Sequence, residues 1–307
     1  MNLSNTKKAV IALSLASIIW GVSSPVSKFT LTQIPAFSLG FIRFSIASLL
    51  LFPFVTSHLR IYKKDCVLLF LCALFGISLH ISLFFFGVRL TSALNAGILA
   101  TTVPLFTLFF AKLFLKEVLT KNILAGAGIG FLGILAIIGK DVFIHGILIA
   151  PLGDFLILLS VLSFVAYEII SKKLISYRPL TITFYSFLIG SFILLPFAFA
   201  EWIHQPGWIS NVSLTGALGA LYGIVFSSVF AYSFWQWGLS KIPASRVGFF
   251  LYLDPVAATI ATVVLLNEII TFPFVVGSLL IFAGLFLAEG AFPYHPHRYK
   301  KHFSSKS

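Results

Sequence analysis

The residue most able to do chemistry is Asp254, a carboxyl group inside a long apolar run. At a rise of 1.5 Å per residue, it lies roughly 12 Å along a helix from Arg246. An ionised carboxylate at that depth in hydrocarbon is costly, so the side chain must face a cavity, pair with another group or carry a proton. Pro255 lacks an N–H and leaves the carbonyl of Leu251 without its helical donor. The pattern indicates a proton or cation site, and the alternative is a carboxyl group bonded to a tyrosine such as Tyr252.

A second proline, Pro104, lies at the corresponding place in an earlier apolar run. It leaves the carbonyl of Ala100 unpaired, and the hydroxyls of Thr101 and Thr102 can donate to it. One interpretation is an ordinary kink repaired by threonine. The other is a hinge for a gate, and we predict hinges at Pro104 and Pro255.

Several aromatic and polar side chains have the character of a binding cavity, in which apolar area is combined with a few polar groups. Arg43 could bind a substrate carboxylate, or it could snorkel outward or bond to a helix-end carbonyl. The histidine and the tryptophans have packing as their alternative. The predicted substrate-binding set is Trp20, Arg43, His80, Thr101, Trp235, Gln236, Tyr252 and Asp254.

Catalysis and metal binding are not indicated by the sequence. Cys66 and Cys72 lack metal-ligand spacing and are typical of small buried hydrophobes. His80 lies roughly 20 Å from the cytoplasmic helix end and Asp254 roughly 12 Å, so they do not form an acid–base pair at one depth. We predict no catalytic residue, no cofactor and no metal.

The remaining acids have structural interpretations. Glu168 precedes Lys172 by four residues, the favourable order for a helical ion pair. Glu117 and Glu268 each end an apolar run, where the helix dipole disfavours a carboxylate. We expect each of these two to cap the next helix or to pair across the halves of the chain.

The composition indicates whether the chain folds in water or in a lipid bilayer. Hydrophobic residues make up 59% of the 307 residues and charged residues only 10%, against about 25% charged in soluble domains. A soluble core cannot hide so much apolar surface, so the solvent is lipid. The net charge is +12, but the basic residues are scattered between apolar runs and form no nucleic-acid-binding face. We predict an all-α integral membrane protein with the bilayer, and not nucleic acid, as its partner.

Ten apolar runs are long enough, at roughly 20 residues each, to cross a bilayer. A backbone in lipid must satisfy its own hydrogen bonds, which favours helices. The predicted spans are Ala9–Thr30, Ala36–Ser57, Val67–Val88, Ala93–Phe114, Asn122–Gly139, Ile147–Ser171, Thr181–Trp202, Val212–Trp237, Ala244–Leu266 and Phe272–Phe292.

The chain repeats itself at an interval of 151 positions. Without a gap, Pro104 falls on Pro255 and Glu117 on Glu268, and five of the seven glycines between residues 84 and 139 fall on glycine. Each half then holds five spans, an odd number, so the halves must cross the membrane in opposite senses. We predict inverted five-helix repeats at residues 9–140 and 147–292, followed by a basic cytoplasmic tail at 293–307.

Basic residues in the loops set the orientation. Of the 21 lysines and arginines, 17 collect on one side, only Lys28, Arg89 and Lys140 lie on the other, and Arg43 lies within a span. Both termini are therefore predicted to be cytoplasmic.

Glycines in the fifth and tenth spans form faces of small residues that let helices approach closely. Gly126, Gly130 and Gly133 lie in one span, and Gly277 and Gly284 lie in the other. We predict that these are packing helices or helices of a homodimer.

The sequence resembles the EamA family of the drug/metabolite transporter superfamily. The resemblance is carried by Trp20, Gly21 and Lys28 in the first span, Arg43 in the second, and the two proline-to-glutamate helices followed by glycine-rich spans. It implies ten helices in two EamA repeats, a cell inner membrane and export of small metabolites or drugs. Tyr167 departs from the pattern, since a tryptophan is usual there.

The function predicted from these features is a secondary exporter of small metabolites, amino acids or drug-like compounds, that works by alternating access. Coupling to protons through Asp254 is the expected drive. The alternatives are an uncoupled uniporter, a lipid flippase with a polar lateral opening, and an integral membrane enzyme acting on lipid.

Overall fold

The computed structural model describes residues 3–91, 99–100, 102–145, 151–266 and 272–290, and this part of the chain is built from helices and short connections without a strand. In chain order the helices are α1 (Leu3–Thr30), α2 (Ala36–Val55), α3 (Cys66–Ala73), α4 (His80–Leu90), α5 (Val103–Leu115), α6 (Lys121–His145), α7 (Pro151–Lys173), α8 (Pro179–His204), α9 (Leu214–Tyr222), α10 (Ser233–Lys241), α11 (Ala244–Val247), α12 (Leu253–Leu266) and α13 (Phe272–Gly290).

Six helical stretches within the described residues are long and apolar enough to cross a membrane. They are Asn5–Thr30, Ala36–His58, Lys63–Leu90, Pro151–Lys173, Pro179–His204 and Leu214–Lys241. Shorter apolar helices occupy Val103–Leu115, Lys121–Ala136 and Phe272–Ala288. The all-helical membrane character predicted from composition is confirmed, while the count of ten spans stays a prediction.

Two of the long stretches contain a wider helical turn that the apolar pattern did not reveal. The first π segment, Leu74–Leu79, joins α3 to α4, and the second π segment, Gly223–Tyr232, joins α9 to α10. A π turn changes the hydrogen-bond spacing without changing hydrophobicity, so composition cannot show it. Shifted by 151 positions, the first segment falls on residues 225–230, inside the second.

Pro104 lies in the first turn of α5, which begins at Val103. Pro104 therefore removes no helical hydrogen bond, because a proline is tolerated in a first turn, and its role as a hinge stays a prediction. The Thr102 hydroxyl donates to the carbonyl of Leu99 at 2.6 Å and not to that of Ala100. Thr101 lies outside the described residues.

The packing contacts between helices of the first half and helices of the second half come in corresponding pairs. The first helix of the first half, α1, packs against the second π segment, α10 and α12. The first helix of the second half, α7, packs in the same way against the first π segment, α4 and α5. In addition, α2 packs on α8, and α6 packs on α13. Each contact thus has a counterpart in which the two halves change places.

The glycine faces of α6 and α13 meet each other. A Cβ on Gly126 would come 2.6 Å from the carbonyl oxygen of Gly284, and a Cβ on Gly133 would come 2.6 Å from that of Gly277. The order of these contacts makes the helices antiparallel, and the 151-residue shift converts one contact into the other. The predicted packing role is confirmed, whereas a homodimer stays a prediction.

This close approach yields a stability prediction for Gly284→Ala. The new Cβ would meet only main-chain atoms, Gly126 O at 2.6 Å and Gly130 N at 2.7 Å, so the two helices must separate. We expect a loss of about 1–3 kcal/mol, measured as a lower thermal unfolding temperature of the detergent-purified protein. Gly128→Ala is the matched control on α6, because nothing lies within 4 Å of its Cβ position. Equal destabilisation by both changes would contradict the proposed contact.

Candidate functional site

The helix that carries Asp254 is interrupted directly before it. After α11, the backbone tightens into a 3-10 turn at Gly248–Tyr252, and α12 starts at Leu253. Asp254 and Pro255 therefore occupy the first turn of α12, where the positive end of the helix dipole favours a carboxylate and where a proline is tolerated. The predicted interruption of the helical hydrogen-bond ladder is present, and it takes the form of the 3-10 turn.

Asp254 itself is half-buried, and its Oδ1 is buried with no hydrogen-bond partner among the described residues. The hydroxyl of Ser17 on α1 interacts with the carboxyl group but does not reach hydrogen-bond geometry. The backbone of α1 passes very close at Gly21, where a Cβ would collide with the carbonyl oxygen of Asp254. The carboxyl group thus lies at the contact between the two halves, and one of its oxygen atoms accepts no hydrogen bond from the described residues.

Tyr252 packs against α6 and is not a hydrogen-bond partner of Asp254. It is fully buried, its hydroxyl donates to the carbonyl of Ala127 at 3.4 Å, and its ring lies against Gly130 on α6. The alternative of a hydrogen bond between Tyr252 and Asp254 was wrong, because the hydroxyl donates to α6, while the cavity role of Tyr252 stays a prediction.

Trp20 ties α1 to the second π segment. Its indole N–H donates to the carbonyl of Ser227 at 3.0 Å, and its ring centroid lies 5.1 Å from those of Tyr232 and Trp235 and 5.8 Å from that of Phe164. Trp20 keeps partial exposure. It is therefore the tryptophan of the predicted set that retains access to open space.

Trp235 and Gln236 belong to the packed core. Trp235 is 0% exposed and Gln236 is 1% exposed, and the amide oxygen of Gln236 accepts a hydrogen bond from the Tyr167 hydroxyl at 3.0 Å. Neither side chain reaches an open cavity in this conformation, and their cavity role stays a prediction. The bulky neighbours on α7 close around them.

The two π segments offer corresponding carbonyls to aromatic donors. The carbonyl of Gly76 accepts from the Tyr232 hydroxyl at 3.3 Å, and that of Ser227 accepts from Trp20. The 151-residue shift places Gly76 on Ser227. π turns disturb the regular backbone pairing and are frequent at functional sites. Here each π segment accepts a hydrogen bond from an aromatic side chain at an equivalent residue.

Arg43 is buried and bound to hydroxyl groups. Its Nε donates to Ser228 Oγ and its Nη2 to Ser227 Oγ, both at 2.6 Å. Its guanidinium also lies 5.1 Å from the Phe44 ring centroid. Of the two structural alternatives, neither outward snorkelling nor a helix-end carbonyl is observed, because the side chain is 5% exposed and reaches the second π segment.

His80 lies at the start of α4, directly after the first π segment, and joins α4 to α7. Its Nδ1 lies 2.8 Å from Ser160 Oγ and 3.0 Å from the Ser160 carbonyl oxygen. The imidazole is partly buried, and its centroid lies 5.0 Å from that of Phe164, which also contacts Trp20. His80 and Trp20 thus flank one phenylalanine at the junction of the halves.

The predicted ion pair between Glu168 and Lys172 was wrong. The Lys172 ammonium donates instead to the carbonyls of Leu239 and Ile242, at 2.6 Å each, and so caps the end of α10. Glu168 Oε2 accepts from the Thr107 hydroxyl on α5 at 2.7 Å. The four-residue spacing was a poor guide because both side chains are buried between helices, where tertiary partners compete.

Two further acids cap helices of the opposite half. Glu117 accepts from the main-chain N–H groups of Ala244 and Ser245 at 2.9 Å each, at the start of α11, which confirms the predicted pairing across the halves and not the cap on the next helix. Glu201 accepts from the N–H groups of Phe37 at 3.1 Å and Ser38 at 2.7 Å at the start of α2. The sequence reasoning missed Glu201, and Glu268 lies outside the described residues.

A lateral groove of about 230 Å³ opens between α2 and α8. Its lining is aliphatic and aromatic apart from one serine and the indole nitrogens, and consists of Ser38, Phe41, Ile42, Leu195, Ala198, Phe199, Trp202, Trp208 and Ile209. It is not the polar lateral opening expected of a flippase.

Long apolar helices that pack around buried polar residues define a multi-pass membrane protein. The chain belongs to the EamA-like transporter family, whose model matches residues 7–139 and 151–289. The protein is therefore a membrane transporter and not an enzyme, and the resemblance stated from the motifs is confirmed.

Relatives of similar length support this membership. A protein of Archaeoglobus fulgidus described as an uncharacterized transporter is 30% identical over 91% of this chain and 98% of its own length. The S-adenosylmethionine uptake transporter of Rickettsia prowazekii is 26% identical over 83% of each chain. A solved crystal structure with 17% identity superposes with a TM-score of 0.76 over 92% of this chain and 96% of its own, which shows a shared fold.

Proposed function

We propose that this transporter exports small metabolites, amino acids or drug-like compounds, by alternating access between two inverted five-helix repeats. The antiparallel crossing of α6 and α13 supports the inversion, because the 151-residue shift relates these two helices and exchanges their glycine contacts. Substrate would bind where α1, α7 and the π segments meet, as is usual for carriers built from inverted repeats.

The observation that carries the proposal is the state of Asp254. A carboxyl oxygen buried without a partner, at an interrupted helix and at the contact between the halves, is a costly arrangement in a membrane. Binding and release of a proton there would change the charge at the junction of α1 and α12. Trp20, His80 and Arg43, which are linked to one another through Ser227 and Phe164, are the candidates for substrate contact, and Pro255 is the candidate hinge.

The proposed location is the cell inner membrane with both termini cytoplasmic. It rests on the 17 to 3 distribution of basic residues between the two sides. The proposed domains are residues 9–140 and 147–292 with the basic tail at 293–307.

Uptake is the second candidate direction. The name of the Rickettsia prowazekii relative specifies uptake of S-adenosylmethionine, and alternating access runs in either direction according to the gradients. Uncoupled uniport stays open, while the apolar lining of the lateral groove argues against a flippase.

A two-stage experiment tests the function. Expression in an exporter-deficient host is expected to protect growth against one class of toxic amino acids or drugs, and a protonophore is expected to remove that protection. Purified protein in liposomes should then move the labelled compound out of or into the lumen when a pH gradient is imposed. Flux that is equal with and without the gradient would overturn the proton coupling, and sensitisation of the host would indicate uptake.

A further inference from the structure

Glu168 is a buried acid that the proposed mechanism leaves without a role. It is 0% exposed and lies on α7 between α5 and α10. Its Oε2 accepts from Thr107 on α5, and its Oε1 has no hydrogen-bond partner among the described residues. A fully buried carboxyl oxygen without a partner requires a physical explanation.

The indole of Trp235 on α10 faces this carboxyl group. Neither the indole N–H nor Glu168 Oε1 completes a hydrogen bond within the described structure. An ionised carboxylate accepts only, and an indole N–H donates only, so an ionised Glu168 would be expected to close that bond. A neutral carboxyl group with its proton on Oε1 would place one donor against another. The contact between Glu168 and Trp235 therefore depends on the charge of the carboxyl group: ionised, it accepts from the indole N–H, and with a proton on Oε1 it does not.

Glu168 lies in the helix pair that corresponds to the helix pair holding Asp254. Asp254 lies on α12 against Ser17 of α1, and Glu168 lies on α7 against Thr107 of α5. The helices α1 and α7 begin the two halves, and the 151-residue shift relates α5 to α12. The pair of α1 and α12 therefore corresponds to the pair of α7 and α5, and each holds one acid and one hydroxyl group. The acid is on α12 in the first pair and on α7, the counterpart of α1, in the second.

We infer that Glu168 is a second proton-binding carboxyl group, whose ionisation tightens the contacts of α7 with α5 and α10 and whose protonation loosens them. The other ionisable groups that act on this region are Glu117 after the end of α5, Tyr167 and Lys172 on α7, Cys72 on α3, Tyr232 in the second π segment, and Lys241 at the end of α10. Lys172 is occupied with the carbonyls of α10. The inference extends the proposed function, from one proton site to two, both carried by the second half and both in contact with a hydroxyl group of the first half.

Infrared difference spectroscopy of the purified full-length protein tests the inference directly. We expect two bands of buried protonated carboxyl groups that vanish as the pH is raised. Glu168→Gln should remove one band and Asp254→Asn the other. Glu201→Gln is the matched control, because that acid is bonded by main-chain donors at the start of α2, and it should leave both bands in place.

Thr107→Val keeps the test decisive where Glu168→Gln fails to fold. Loss of the hydroxyl donor should shift the band of Glu168 and leave that of Asp254 unmoved. A spectrum in which neither change at Glu168 nor at Thr107 alters a carboxyl band would overturn the inference. The measurement needs no substrate and no flux, so its result is separate from success or failure of the transport assay.

Discussion

Asp254→Asn is expected to abolish accumulation driven by a pH gradient while the protein continues to fold. The substitution keeps the size and the acceptor of the side chain but removes its ability to release a proton. A gradient of one pH unit supplies about 1.4 kcal/mol per proton, which supports about tenfold accumulation. Reconstituted wild-type protein should reach that ratio, and the variant should equilibrate its substrate at a ratio of about one.

The variant should still exchange labelled for unlabelled substrate, because exchange needs no net proton movement. Glu201→Gln is the control, since it alters an acid of similar size that caps α2 outside the junction. It should retain the full accumulation ratio. Accumulation by Asp254→Asn equal to that of wild type would exclude this carboxyl group as the coupling site.

The second large effect concerns the hydroxyl groups that hold Arg43. The double change Ser227→Ala and Ser228→Ala removes both of its recorded acceptors and leaves a buried guanidinium unsatisfied. Hydrogen bonds to charged groups contribute about 1.5–3 kcal/mol each, so we expect a loss of about 3–6 kcal/mol for the pair. Thermal unfolding in detergent measures it.

Arg43→Met should cost less than loss of the two serines, because it removes the charge together with its need for partners. Adding Arg43→Met to the serine variant should therefore recover stability. A greater loss from Arg43→Met than from the double change would show that the hydroxyls do not support the guanidinium. Transport by a well-folded Arg43→Met protein then reports whether the arginine contacts substrate.

Much of the fold follows from the sequence because lipid allows few choices. Apolar run length predicted helices such as Pro179–His204 within two residues, and the 151-residue repeat predicted that α6 and α13 are counterparts. Glycine spacing predicted close packing, since only main-chain atoms can approach as closely as at Gly126 and Gly133.

The site was harder to predict because its members depend on which helices meet. Asp254 was found by its charge in an apolar run, whereas Trp235, Gln236 and Tyr252 have the right chemistry but are sealed by packing. Glu168 was misassigned because its neighbour at four residues was visible in the sequence and its true partner, Thr107, was 61 residues away. An acid within a predicted span was the signal that was available for Glu168.

The two π segments bear on the history of the chain. A widened turn amounts to one inserted residue, and it occurs at equivalent positions in both halves, with Gly76 and Ser227 each accepting from an aromatic donor. Independent insertion at the same place twice is less economical than inheritance from one ancestor. The irregular turn therefore predates the duplication that gave the chain its two family repeats.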